Sequence, residues 1–295
     1  MSRSGRSDTR DNPSAASLQV VDREPTSRQS VPMDRLSLPK GPDRQPVEVG
    51  GRTYHLRESE ARILVTVGSF RVVRADDVQE CRTSRDVWTG DLRSLADQGL
   101  LQFKTVEINR EAKAVVALTR EGKQVLDAHR IPRSACAQEF YAGLVKPREV
   151  AHDAQIYRLY QVEAGRLEAD GHRVERVVLD YELKREYQKF LNRPDRPDGV
   201  SRRDDAEAFA AANCLPVVDG HLELPDLRIE YETADGRVEY RDVELVTEHY
   251  SRGQMAGKNA AGFALYRAAG AGRARGQSAG RGGTPFDPHH LERLG

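Results

Sequence analysis

The chain of 295 residues has 46 Lys and Arg against 46 Asp and Glu, so its formal net charge is zero. This balance excludes a histone-like, uniformly basic protein but leaves room for local basic patches. No apolar run approaches the ~18 residues of a membrane span. The first residues lack the apolar stretch of a secretion signal. We therefore expect a cytoplasmic protein. The three cysteines, Cys81, Cys136 and Cys214, are too widely spaced for a zinc ribbon or a disulfide framework.

The two ends of the chain differ in composition from its middle. Residues 1–48 and 270–295 are rich in polar residues and have few apolar side chains to bury, so we predict that both are disordered tails. The middle is predicted to form two units, 49–133 and 134–269. The first has 15 Lys and Arg against 12 Asp and Glu, a net charge of +3, and the second has 19 against 25, a net charge of −6. The first unit is therefore the better candidate for a phosphate-containing partner.

The predicted elements of residues 49–133 follow the order of a winged helix-turn-helix. A helix at 56–70 precedes a short extended step at 71–73, a brief helix at 74–81 and a third helix from about 85 to 98. Gly99 suits the left-handed residue that ends a helix. Two β-rich runs at 100–108 and 112–119 then form a hairpin, and a last helix begins after Thr119.

A winged helix of this kind places its third helix in the major groove of DNA and its hairpin near the backbone. The side chains expected to contact double-stranded DNA at these positions are Arg85, Thr89, Arg93, Lys104, Arg110 and Lys113. The same helix has three aspartates that repel phosphate, so a winged helix used for protein–protein contact stays as the alternative. In the first case a homodimer stays open.

The predicted elements of residues 134–269 suit a three-layer α/β core like that of PD-(D/E)xK nucleases. A long amphipathic helix at 147–171 precedes a strand that enters a short helix at 173–184. A Pro- and Arg-rich loop at 192–205 and an Ala-rich helix at 204–213 form an insertion. Two strands joined by Ala-Asp-Gly follow, and a closing helix is predicted at 253–270. The predicted fold class is therefore α+β.

Two carboxylates in this second unit are candidate metal ligands. Asp226 follows a proline at the start of one strand, and Glu244 lies in the next. Carboxylates from neighbouring strands can together hold Mg²⁺ or Mn²⁺, which activates water for attack on a phosphodiester. The lysine expected two positions after Glu244 is Val246. We expect Lys258 or His152 to assist catalysis instead. The competing interpretations are that Asp226 is an ordinary residue at a strand start, that Lys258 is solvated and that His152 is packed in the interior.

Taken together, these features resemble the plasmid replication-relaxation family over residues 52–268. The resemblance rests on the winged helix and on five short features, which are His152-Asp153, Pro225-Asp226, Glu244, Lys258 and Tyr266. It implies a DNA-binding protein of a plasmid or integrated element, acting in replication, transfer or regulation, with a nuclease-related second domain.

The chain departs from that family at two places. Glu244-Leu245-Val246 stands where the family tends to have Glu-x-Asp, and the last core strand is expected to be replaced by the Gly/Arg tail. Three functions therefore stay open. They are DNA binding with a degenerate nuclease core, metal-dependent cleavage or nicking of DNA, and a protein-interaction adaptor.

Overall fold

The computed structural model describes residues 31–33, 35–78, 90–108, 111–131, 137–144, 147–247 and 250–267. It also describes two short terminal strands, Gln19–Val20 (β1) and Glu292–Leu294 (β13). The described residues form a mixed α+β fold with eight helices and several sheets. Within these residues, no helix has both the length and the apolar character needed to cross a membrane.

The first half consists of short helices around a three-stranded sheet. Its elements are β2 (Gln45–Val49), β3 (Arg52–Leu56), α1 (Glu58–Ser69), β4 (Val73–Arg74), α2 (Ala75–Val78), α3 (Asp91–Asp97), β5 (Leu101–Ile108), β6 (Glu111–Leu118) and α4 (Arg120–Ala128). β2 and β3 pair with each other, and the larger sheet has the order β4-β6-β5, with antiparallel pairing throughout.

Local sequence signals explain the boundaries in this half. The predicted hairpin is present as β5 and β6. Gly99 has a φ of 73°, the left-handed conformation expected directly after the third helix. The hydroxyl of Thr119 accepts a hydrogen bond from the Gly122 amide at 3.0 Å, which caps the start of α4.

One sequence prediction changes in this half, and another reaches beyond the described residues. Residues 1–48 were expected to be disordered throughout, but Leu36, Leu38 and Val47 are buried and β2 begins at Gln45, so the prediction is wrong for residues 35–48. These apolar residues are too few and too widely spaced to reveal a core segment by periodicity alone. The third helix, expected from about 85, is described from Asp91, and residues 79–89 lie outside the described part of the chain.

The second half is built on a single mixed sheet. Its elements are α5 (Pro147–Ala169), β7 (Arg173–Leu179), α6 (Asp180–Leu191), α7 (Arg202–Ala212), β8 (Val217–Val218), β9 (His221–Leu222), β10 (Leu227–Glu232), β11 (Val238–Val246), α8 (Arg252–Ala260) and β12 (Ala264–Arg267). The sheet order is β1-β13-β12-β11-β10-β7. β11 and β12 run parallel, and the other neighbours are antiparallel.

The predicted closing helix at 253–270 is wrong in its second half. α8 ends at Ala260, Gly262 takes a φ of 79°, and the chain returns as β12 beside β11. The reason is that buried side chains alternate between the two faces of this segment, a strand pattern that is difficult to recognise in an Ala-rich sequence. Phe263 and Leu265 pack against α8, whereas Ala264 and Tyr266 belong to the main core on the other face of the sheet. The last strand, expected to be missing, is therefore present.

The sheet lies between two helical layers. Val177 and Leu179 of β7 pack in the main core with α5, while Val178 between them packs with α6 and α7. The main core also continues into the first half. Phe70 at the end of α1 contacts the rings of Tyr157 and Tyr160 on α5, with centroids 5.1 and 5.0 Å apart. The long helix α5 thus packs against both halves of the chain.

Candidate active site

The structure brings together all four residues that the sequence predicted for catalysis, at the end of the sheet where β10 begins. Asp226 immediately precedes β10, and Glu244 lies opposite it near the end of β11. The two residues hold each other in place. The Asp226 amide donates to Glu244 Oε2 at 3.1 Å, and the Leu245 amide donates to Asp226 Oδ2 at 2.8 Å. Each carboxylate is therefore held by a backbone amide of the neighbouring segment, and the two charges interact.

Glu244 is a buried carboxylate with only 2% of its surface exposed. Burial and the neighbouring Asp226 charge raise its pKa to about 7. Its Oε1 accepts a hydrogen bond from the Tyr250 hydroxyl, which opposes that rise. A buried carboxylate beside a second carboxylate is a site where a bound cation would relieve repulsion.

Lys258 reaches this carboxylate from α8. Its ammonium lies 3.3 Å from Glu244 Oε1 and 3.2 Å from Glu223 Oε2, and it donates to the Leu224 carbonyl at 2.7 Å. The side chain is only 15% exposed. Val246, the position where the lysine was expected, is buried against α8 instead. The structure therefore supplies an ammonium at the carboxylate pair from a helix rather than from the strand.

His152 approaches Asp226 from α5, on the other side of the site. Its Nε2 lies 3.3 Å from Asp226 Oδ2, and its Nδ1 lies 3.4 Å from Asp153 Oδ1. Burial lowers the pKa of His152, but the two carboxylates outweigh burial and raise the pKa to about 10. The imidazole is therefore protonated at neutral pH, and both ring nitrogens are donors.

Sequence reasoning missed two residues of this site. Tyr250 and Glu223 contact Glu244 and Lys258 respectively, and both lie in connecting segments outside regular elements. No spacing rule links them to the carboxylates, because their positions depend on how the loops before β10 and α8 fold back. An acidic or phenolic residue close to a predicted site in sequence is the only signal the chain offers.

The predicted DNA contacts are described only in part. Arg85, Thr89 and Arg110 lie outside the described residues. The other three lie on the elements expected to carry them. Arg93 on α3 is 65% exposed and lies 3.7 Å from Asp97, Lys104 on β5 is exposed, and Lys113 on β6 pairs with Glu111 at 2.5 Å. Ion pairs between exposed side chains such as Arg93 and Asp97 contribute little to stability.

The donor set of the site suits a hard divalent cation. Magnesium takes oxygen ligands and usually needs only one or two carboxylates together with waters and substrate phosphates. Asp226 Oδ2 lies 2.8 Å from the Leu245 amide and 3.3 Å from His152 Nε2. A cluster of three or more His, Cys, Asp or Glu side chains arranged around a metal does not occur among the described residues. A cation here would therefore rest on Asp226 and Glu244.

Comparisons with protein families, with curated proteins and with solved structures found no match for this chain.

Proposed function

We propose that the protein is a metal-dependent DNA nuclease or nicking protein of a plasmid or integrated element, with a winged helix-turn-helix in its first half. The second half is then a PD-(D/E)xK-like core whose lysine has moved from the strand to the following helix. The observation that carries this proposal is the convergence of Asp226, Glu244 and Lys258 at one end of the sheet.

The order of elements in the second half supports the proposal. A helix, three antiparallel strands, a helix and a strand parallel to the third follow one another as α5, β7, β10, β11, α8 and β12, with α6 to β9 as an insertion. The chain departs from the resembled family at Glu244-Leu245-Val246, where Glu-x-Asp is the tendency, and was expected to lack the last strand. β12 now occupies the place of that strand, and Lys258 supplies an ammonium beside Glu244, so both observations support cleavage as the proposed function, while the departure at Val246 stays.

Asp226 and Glu244 would hold the divalent cation. When bound, Mg²⁺ or Mn²⁺ supplies Lewis-acid polarisation of a phosphate and an acidified water. Lys258 places a positive charge beside Glu244, where it stabilises the ionised carboxylate. His152 keeps its proton at neutral pH. Its role is therefore to orient Asp226 as a hydrogen-bond donor, and not to act as a general base.

A plasmid-nicking assay tests this function. The full-length protein is incubated with supercoiled plasmid and Mg²⁺ or Mn²⁺, beside the variants Asp226→Asn and Lys258→Met. We expect nicking that disappears with EDTA and in both variants. Asp235→Asn is the matched control, because Asp235 is an exposed carboxylate in the turn at the opposite end of β10 and β11. If the protein binds the plasmid but leaves it supercoiled with every divalent cation, the nuclease proposal is wrong and DNA binding without cleavage is favoured.

The first half of the chain is proposed to bind double-stranded DNA. The support is the order α1, β4, α2, α3, β5, β6, α4 together with the exposed basic residues Arg93 and Lys104. Fluorescence anisotropy with a labelled duplex at several salt concentrations tests this. We expect Arg93→Ala and Lys104→Ala to weaken binding to all sequences and to reduce the salt slope by about 1 each. A protein that fails to bind duplex DNA even at low salt would favour the adaptor function.

A further inference from the structure

The first turns of α6 lie directly beside the carboxylate site. The amide of Asp180, the first residue of α6, donates to the carbonyl of Asp226 at 3.2 Å. Tyr181 follows it, and Lys184 lies one turn further along the helix. Residues three apart on a helix are neighbours on its surface, so these two side chains share one face. Tyr181 is 48% exposed, and the Lys184 side chain is 63% exposed.

The ring of Tyr181 is held in a fixed position. The guanidinium of Arg71 lies over the ring, 5.2 Å from its centroid, and Tyr141 meets the ring at 83° with centroids 6.0 Å apart. Arg71 is itself fixed, because it pairs with Asp153 at 3.4 Å and has a left-handed backbone with a φ of 61°. Non-glycine residues in this conformation are strained and cluster at ligand-binding sites. Tyr181 combines a guanidinium over its ring with a residue surface that is nearly half exposed, and aromatic side chains of this kind stack on flat ligands.

Contacts connect this platform to the proposed metal ligands on two sides. Arg71 contacts Asp153, whose carboxylate contacts His152, and His152 contacts Asp226. On the other side, Lys184 Nζ pairs with Asp180 at 2.5 Å. Burial lowers the pKa of Lys184, and the carboxylates of Asp180 and of the site raise it by more. The ammonium therefore lies within the field of the site.

We propose that α6 binds one unpaired nucleotide of the DNA strand beside the scissile phosphodiester, with Tyr181 stacking on the base and Lys184 contacting a phosphate. A base inside a duplex is stacked on both sides and cannot lie on a protein ring. The substrate is therefore a strand with at least one unpaired nucleotide, such as a nick-adjacent or melted segment. This inference rests on the proposed function, because it assigns the substrate of the same site.

The test measures stacking in the absence of cleavage. The full-length Asp226→Asn protein is mixed in EDTA with a single-stranded DNA oligonucleotide that contains 2-aminopurine, and fluorescence quenching and anisotropy are recorded. We expect quenching on binding. When Tyr181→Ala is introduced into the Asp226→Asn protein, the quenching should disappear and binding should weaken by about tenfold or more. Tyr181→Phe in the same background should preserve both the quenching and the affinity. Lys184→Ala should weaken binding and reduce its salt dependence without abolishing the quenching.

Tyr240 provides the matched control. It is 39% exposed on β11 and likewise has a guanidinium over its ring, that of Arg228 at 4.7 Å, but it lies four residues along the strand from Glu244. Tyr240→Ala should leave the binding of the single strand unchanged. Unchanged quenching and affinity in Tyr181→Ala would overturn the inference, even if the wild-type protein nicks plasmid. Absence of nicking with quenching that depends on Tyr181 would instead overturn the nuclease function alone.

Discussion

Replacing Glu244 by glutamine is expected to make the metal-free protein more stable at alkaline pH. Glutamine has nearly the same shape but cannot ionise. In the wild type, an ionised Glu244 must stay buried beside Asp226. A buried charge next to a like charge lowers stability, and active sites often accept that cost because the cation later binds there. The variant removes the charge and keeps most of the packing.

The pKa of Glu244 sets the size of the effect. It rises from the ordinary value of 4.5 to about 7. A carboxyl group whose pKa is raised in the folded state favours folding below pH 4.5, and this contribution is lost as the pH rises through 7. At 1.36 kcal/mol per pKa unit, the loss amounts to about 3 kcal/mol of the free energy of unfolding. The stability of Glu244→Gln relative to wild type should therefore increase by about that amount between pH 4.5 and pH 8.5.

Urea unfolding in EDTA at both pH values measures this difference. The contribution of His152 is common to both proteins and cancels in the comparison. Tyr250→Phe gives a matched test of opposite sign. Its missing hydroxyl no longer stabilises the ionised carboxylate, so this variant should lose more stability at pH 8.5 than at pH 4.5. A relative stability of Glu244→Gln that stays constant with pH, or falls, would refute the assignment of a buried, charge-repelled Glu244.

Four further changes test the fold and the site by chemical denaturation. His152 has a raised pKa, so its stabilising contribution is complete below pH 6.5 and is lost as the pH rises through 10. His152→Gln should therefore cost more stability at pH 6 than at pH 10. Phe70→Ala, which removes the ring between the two halves, should cost about 3–5 kcal/mol, and a much smaller loss would contradict a shared core. Gly165→Ala has open space in α5 and should stabilise by about 0.5–1 kcal/mol. Gly122→Ala should destabilise, because its new Cβ would lie 2.2 Å from the Leu100 carbonyl oxygen.

The sequence by itself determined much of the secondary structure and the choice of candidate site residues. Alternating and helical apolar patterns predicted the hairpin before α4, the long helix α5 and the strand pair joined by Ala-Asp-Gly, and all three are present. Residue chemistry, together with the resemblance to the replication-relaxation family, selected Asp226, Glu244, Lys258 and His152 as candidates. Local patterns suffice for such predictions because they depend on neighbours in the chain.

Only the tertiary structure decided how these residues meet. Lys258 and His152 lie on two helices on opposite faces of the sheet, so their contacts with Glu244 and Asp226 depend on packing between elements far apart in sequence. The four-residue strand β12 escaped detection for a related reason. The alternation of its side chains between two faces stabilises a strand only because β11 pairs with it along one edge. Without that pairing, an Ala-rich run favours a helix. The ordered segment 35–48 likewise gains its burial from α1 and α4, and not from its own composition.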